Sequence, residues 1–267
     1  MRDIEDRIIA HDGTNAVNGR VQWSPIKSLW WTVMTMVWII GGYVWFSWSA
    51  VAAFFIACTI VLCAGHSIGM HRRLIHESFD CPHWLTMIGV WLGTLVGLGG
   101  PRTMMHTHDL RDWAQRQDAC HPYLRHGRGP LRDFWWQLHC TFMLDHPPAF
   151  EPSALYQNSR NMQFLQRTAF AQQIPLALLL LWLGGPGFVA WAICGRISIS
   201  IFVHWAVGWA AHNQGHRDFH NEGHCTQGHN VRGFGLLTFG EAYHNNHHTF
   251  PESARLGLFP GQPDPGW

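Results

Sequence analysis

The run KSLWWTVMTMVWIIGGYVWFSWSAVAAFFIACTIVLCAG, residues 27–65, decides how this chain folds. Lys27 is its only charged residue, and apolar side chains fill it continuously instead of recurring on one helical face, the pattern of helices that are apolar all round. Each half approaches the roughly 20 residues that cross a bilayer core, and the short joint Ser47-Trp48-Ser49 divides them. The spacing predicts spans over 28–48 and 49–66. A second pair follows a long polar middle, over about 168–184 and 187–211, with Gly184-Gly185-Pro186-Gly187 as its joint. The expected fold is an all-α membrane protein: two transmembrane helical hairpins, four spans in all, with a cytosolic helical cap from 67–167 and 212–267. No Gly/Ser-rich, Pro-rich or charged linker interrupts residues 1–267, so one domain is expected.

A further apolar stretch, WLTMIGVWLGTLVGLGG at 84–100, is short and rich in glycine and is read as non-spanning. Charge supports that reading. Neither joint carries Lys or Arg, while the N-terminal arm, the middle segment (Arg72, Arg73, Arg102, Arg111, Arg116) and the tail (Arg217, Arg232, Arg255) do. By the positive-inside rule all three face the cytoplasm, which makes the chain a multi-pass integral membrane protein with both termini cytoplasmic. The first 27 residues mix acid and base with no small-residue cleavage site, and are read as a retained arm. Trp30, Trp31, Trp45 and Trp48 read as an interfacial belt, and the helix around Trp135 and Trp136 as lying on the membrane surface. Seven cysteines are scattered with no CxxC pair. With a net charge of +1, dispersed arginines and no Gly-rich phosphate loop, the chain has neither a nucleic-acid nor a nucleotide signature.

Twenty histidines are the anomaly in this apolar background. They gather where the spans end: His71 and His76 in GMHRRLIHESF, His204, His212 and His216 in VHWAVGWAAHNQGHRDF, and His244, His247 and His248 in GEAYHNNHHTFPESAR. Offsets of three and four share a helix face, so the last three are expected to converge on one region. An offset of five separates His71 from His76 by about 140° on an α-helix, so those two must straddle a site or use a helix end. Ionisable groups at a membrane edge are costly and mark function, and neutral imidazoles suit Fe, Cu, Ni or Zn and not Mg or Ca. Isolated histidines such as His11, His83 and His146 read as ordinary polar residues.

From about residue 64 to the C-terminus these motifs resemble the membrane-bound fatty acid desaturases of the acyl-CoA, stearoyl-type branch. HRRLIH is similar to that family's first histidine box, LLTFGEAYHNNHHTFPESARLG to its third, HNQGHRDF to the element that carries an extra ligand, and the closing DPGW also recurs there. The resemblance implies an oxygen-dependent fatty acyl desaturase that forms a double bond in a lipid acyl chain at a non-haem iron centre. It further implies two irons, O₂ as co-substrate, a separate ferredoxin- or cytochrome-type electron donor, a membrane lipid or acyl-CoA as substrate, and no nucleic acid. The implied metal ligands are His71, His76, His108, Asp112, His212, His244, His247 and His248, with no catalytic residue apart from them and with Glu241 or Asp218 as orienting carboxylates.

The second box departs from the family pattern HRxHH. In HDLRDWAQRQD, His108 holds the first slot, Arg111 and Asp112 hold the two remaining histidine slots, and Asp118 matches a later aspartate. Arginine cannot bind a metal because it keeps its proton, whereas a carboxylate can. Arg111 is expected to turn away from the site. Gly208 stands where the family has an asparagine, one turn before His212, on a face shared with His204 and His216. His106, His121, His216, His224 and His229 are spare imidazoles close in sequence. Three outcomes follow: a remodelled two-iron site with a carboxylate, a single-iron site, or a non-enzymatic member. Lipid hydroxylation or oxidation on the same scaffold is the alternative chemistry.

Overall fold

The computed structural model describes residues 7–267; of the N-terminal arm, residues 1–6 lie outside the described part. Two short strands, β1 (Ile8–Ile9) and β2 (Gly19–Trp23), precede the first helix. Ser24 then accepts a hydrogen bond from the Lys27 amide and Pro25 takes the first helical position, which starts α1 (Pro25–Val44). Ser47 caps the next helix in the same way by accepting from the Ala50 amide, so the polar joint is both the end of α1 and the start of α2 (Trp48–Thr59).

From α2 the chain continues without interruption as a π-helix over Ile60–Ile75, and Trp48–Ile75 is, among the described residues, one of two helices long and apolar enough to cross a membrane. His71 therefore rides on the same helix as the apolar run. The short stretch at 84–100 gives α3 (His83–Thr94), followed by α4 (Pro101–Gln115), α5 (Pro130–His139), β3 (Cys140–Leu144), β4 (Ala149–Phe150), α6 (Ala154–Gln157) and α7 (Arg160–Arg167). At 12 residues α3 is too short to span, in line with its reading.

The second apolar helix runs over Gln173–Asn213. It consists of α8 (Gln173–Val189), a π-turn (Ala190–Gly195) and α9 (Arg196–Asn213), and Gly185 inside it has φ 73°, a left-handed value suited to glycine. Arg196 Nη2 donates to Gln173 Oε1 at 2.5 Å, so the chain doubles back at Gly185. A last turn, α10 (His244–Thr249), carries the third histidine cluster.

Packing between these helices is close. Trp31 Nε1 donates to the Ser198 carbonyl and Trp191 Nε1 to the Gly42 carbonyl, which sets α1 antiparallel to the chain after Gly185, while Trp38 stacks on Phe54 of α2 at 6.0 Å. Trp30 Nε1 donates to the Gly97 carbonyl at 3.0 Å. Trp30 and Trp31 are thus internal ties and not belt residues, whereas Trp45 and Trp48 are exposed as expected. Arg196 is fully buried among apolar helices and is satisfied by the Ala192 and Leu95 carbonyls and by Gln173, which locks the end of α3 into the bundle. Beneath the cap, Met70, Leu74, Ile75, Val90, Met105, Met162 and Leu165 form one buried apolar cluster.

The all-helical expectation is corrected by two antiparallel strand pairs. β2 pairs with β3, Gly19 opposite Leu144 and Trp23 opposite Cys140, and β1 pairs with β4. Their partners are more than a hundred residues apart, beyond the reach of local pattern. Lys27 Nζ donates to the Gln137 and Cys140 carbonyls at 2.6 Å, stopping α5 at His139 where the aromatic pattern alone would extend it.

Gly69 and Gly89 let the π-helix and α3 touch backbone to backbone, and a Cβ on Gly69 would collide with the Gly89 main chain. Gly69→Val should therefore cost about 1–3 kcal/mol or more through overpacking. The check is a thermal melt in detergent: a Tm lowered by roughly 5 °C or more is expected, and an unchanged Tm would show that this contact does not constrain the fold.

Candidate metal centre

Seven of the eight sequence-derived site residues converge, and they do so in two groups. His71, His76, His108 and His247 bring one ring nitrogen each within 4.8 Å of one another; His212, His244 and His248 do the same. The expectation that His71 and His76 straddle a site or use a helix end is met at a helix end: His76 is the C-cap of a helix that is π and not α. The His76 amide donates to the His71 carbonyl at 3.0 Å, an i to i+5 bond, so an offset of five closes one π-turn and places both rings on one side. His76 Nε2 and His108 Nε2, the latter from α4, lie 3.3 Å apart.

The third cluster does not converge on one region. α10 stands between the groups, giving His247 to the first and His244 and His248 to the second. On a helix these residues span an arc of about 100°, with Asn245 and Asn246 on the opposite side. Those two amides hold the turn in place. Asn245 Oδ1 accepts from the Asp218 and Phe219 amides at 2.8 Å, and Asn246 Nδ2 donates to the Leu256 carbonyl at 2.8 Å. Fully buried Asn230 accepts from the Asn245 and Asn246 amides and donates to Asp218.

Both groups have an orienting partner. Glu241 Oε2 is 2.8 Å from His71 Nδ1, while its other oxygen accepts from Ser67 Oγ at 2.6 Å. His212 Nδ1 donates to the Gly208 carbonyl at 2.8 Å. His247 is 2% exposed, yet neither of its ring nitrogens has a hydrogen-bond partner among the described residues. Each such orphan costs about 1–3 kcal/mol, and a bound cation would remove that cost. An all-nitrogen donor set of neutral imidazoles fits a first-row transition metal.

Asp112 stands outside both convergent sets, with Oδ2 3.8 Å from His108 Nδ1 and 3.9 Å from Arg116 Nη2. Arg111 is turned toward α5: Nη2 donates to Gln137 Oε1 at 2.8 Å and Nη1 meets His126 Nε2. His126, absent from the sequence-derived set, is buried and held by Asp133 through Nδ1 at 2.8 Å. Its ring fills the space that Gly208 leaves open and stacks on His212 at 5.4 Å. His204 instead pairs with His66 at 3.2 Å, and His216 lies beyond α9 beside Asp218. Of the other spare histidines, His106 packs on Phe150 and His121 on Phe142, and neither these nor His224 and His229 join a group. Only the deep burial of residue 126, which a local pattern does not reveal, would have marked it.

Electrostatics follow from this crowding. Burial, reinforced by neighbouring imidazoles, holds His76, His244, His247 and His248 well below the ordinary imidazole range, so they are neutral donors at pH 7. Burial alone would push Glu241 and Asp112 up, but His71 and Arg72 beside Glu241, and His108 and His247 beside Asp112, outweigh it and hold both carboxyls down. His108 shifts the other way: burial lowers it, and Asp112 and Asp109 more than compensate.

The two apolar helices thus end in two groups of imidazoles. A fatty acid desaturase family model matches residues 45–256, and the chain belongs to that family. It is 35% identical over 217 residues to the sn-1 stearoyl-lipid 9-desaturase of Anabaena variabilis, covering 80% of this chain and 76% of that protein. It is 33% identical over 220 residues to the sn-1 stearoyl-lipid 9-desaturase of Synechocystis sp., covering 80% and 65%. The sn-2 palmitoyl-lipid 9-desaturase of Nostoc sp. is 30% identical over 228 residues, covering 83% and 77%. Membership makes the chain an enzyme, so the non-enzymatic reading falls.

The depressed histidines set a pH dependence. Between about 6.5 and their folded values, the unfolded metal-free chain binds more protons than the folded one, so stability falls as pH drops. That contribution is complete above about pH 6.5, and the carboxyls Glu241 and Asp112 add losses only below the carboxylate range. His108 acts oppositely, its share being lost as pH rises through its elevated value. Four groups against one predict a metal-free Tm that declines from about pH 6.5 downward; a Tm constant from pH 7 to 5 would contradict this balance.

Proposed function

We propose that this chain is an acyl-lipid desaturase that introduces a double bond into a membrane lipid acyl chain at two irons. The observation that carries the reading is the pairing of two imidazole groups at one end of the two apolar helices, in a chain of the desaturase family. His71, His76, His108 and His247 would hold one ion, and His212, His244 and His248 the other. Asp112 would supply negative charge beside His108, and Glu241 would orient His71. When bound, the irons supply the oxidising chemistry: one CH₂–CH₂ pair loses two hydrogens, and with two electrons and two protons one O₂ leaves as two waters. Since no Cys pattern for an iron–sulfur cluster or haem is present, the electrons come from a separate ferredoxin- or cytochrome-type protein.

In this chain the protein's tasks are to bind, orient and insulate. Burial keeps His76, His244, His247 and His248 neutral, and the amides of Asn230, Asn245 and Asn246 keep α10 in register with the helix ends. The reversals at Ser47 and at Gly185 support four spans, and with the positive charges on the arm, middle and tail this reading has both termini and the site on the cytoplasmic side of the bilayer.

The test is anaerobic purification with metal quantification, alongside lipid analysis of cells that express the chain. Iron near two per chain and a new mono-unsaturated acyl group are expected; hydroxylated lipid or the absence of iron would overturn the reading. His247→Ala should lower bound iron and reduce product by at least about a hundredfold, a loss of about 2.7 kcal/mol in transition-state terms, with membrane insertion unchanged. Reporters fused at Ser47 and Gly185 should read outside, and a cytoplasmic signal at either would refute the four-span topology.

A further inference from the structure

The second imidazole group has three members where the first has four, and one further donor faces it. Gln115, the last residue of α4, is 1% exposed, and its Oε1 lies 3.1 Å from His212 Nε2. The amide cannot be turned around without penalty: Nε2 donates to the Leu124 carbonyl at 2.8 Å, and the flipped form would set oxygen against oxygen. The tautomer of His212 is fixed in the same manner. Its Nδ1 lies 2.8 Å from the Gly208 carbonyl, a group that only accepts, so Nδ1 carries the proton and Nε2 presents a lone pair.

Two lone pairs thus meet at hydrogen-bonding distance with no proton between them. A doubly protonated His212 would resolve the conflict, but its ring stacks at 5.4 Å on His126, whose Nε2 already meets the Arg111 guanidinium. A second buried cation there is unfavourable. A metal ion resolves it directly. Two ligand atoms about 2.1 Å from one ion and at right angles to each other are roughly 3 Å apart, the spacing seen. His76 and His108 in the first group stand 3.3 Å apart, nitrogen to nitrogen.

We infer that Gln115 binds the second metal ion through Oε1, so that this ion takes three imidazoles and an amide oxygen. The inference rests on the two-metal reading above. It also gives the two ions unlike surroundings: four nitrogen donors at one, and a harder, neutral oxygen among three nitrogens at the other.

Gln115→Leu and Gln115→Glu separate a ligand from a structural amide, because both remove the N–H donor to Leu124 but only Glu keeps an oxygen in place. Full-length protein in detergent is loaded anaerobically with Fe(II), passed over a sizing column and assayed for iron per chain, with melts of the metal-free forms to report folding. Wild type is expected to keep two irons, Gln115→Leu one, with its second affinity lowered at least about tenfold, and Gln115→Glu two. Two irons of unchanged affinity in Gln115→Leu would overturn the inference and leave the two-iron reading intact. Equal loss in both variants would assign Gln115 to holding the Leu124 loop and overturn it as well. A wild type without iron would overturn this inference together with the reading beneath it.

Discussion

A guanidinium that is 1% exposed has to find its partners inside the protein, and Arg72 finds them in three distant segments. It donates to Asp264 through both Nη atoms, to the Ala254 carbonyl and to the Phe239 carbonyl, the last two at 2.7 Å. Asp264 in turn accepts from the Leu256, Gly257 and Gly266 amides. Arg72 follows His71 directly, Phe239 precedes Glu241, and the 254–266 segment closes over α10. One ion pair therefore sets the apolar helix, the orienting carboxylate and the third histidine cluster against each other. Removal of one partner from such a buried pair costs about 3–5 kcal/mol, a large fraction of the stability of a typical domain.

Around that tie, the site is built by making imidazoles uncomfortable as cations and useful as donors. Seven rings are crowded together, and the charges that approach them are opposed in kind: Glu241 and Asp112 on the side of the first group, Arg111 on α4 and Arg116 just past its end close by. The contacts of Arg111 run to Gln137 and His126 and so into Asp133 and Trp205. The altered second box has thus become a polar brace between α4, α5 and α9.

Much of this was legible in residue order. Continuous apolar runs disclosed the helices, the Gly184–Gly187 joint disclosed the reversal, and the histidine clusters disclosed six of the seven residues that meet in space, His108 entering only through the resemblance of the second box. What stayed hidden depended on a period or a distance that pattern cannot supply. The π-register between His71 and His76 converts an offset that diverges on an α-helix into one that coincides. The division of His244, His247 and His248 between two groups depends on where α10 docks, which Asn230 decides from outside the motif. His126, His66, Arg196 and Gln115 carry no local signature, since each is defined by a partner at least nine residues away. Strands β2 and β3 were missed for the same reason.

Because α10 is a single short turn with ligands on two neighbouring flanks, it works as one rigid part shared by two bearings. Any twist about its axis swings His247 and the His244/His248 pair through the same angle, and any slide along its axis displaces all three equally. Neither imidazole group can then be adjusted alone. The hydrogen bonds of Asn230, Asn245 and Asn246, on the side of the turn away from the histidines, become the setting screws for both, and a change in those amides would detune the two groups as a pair.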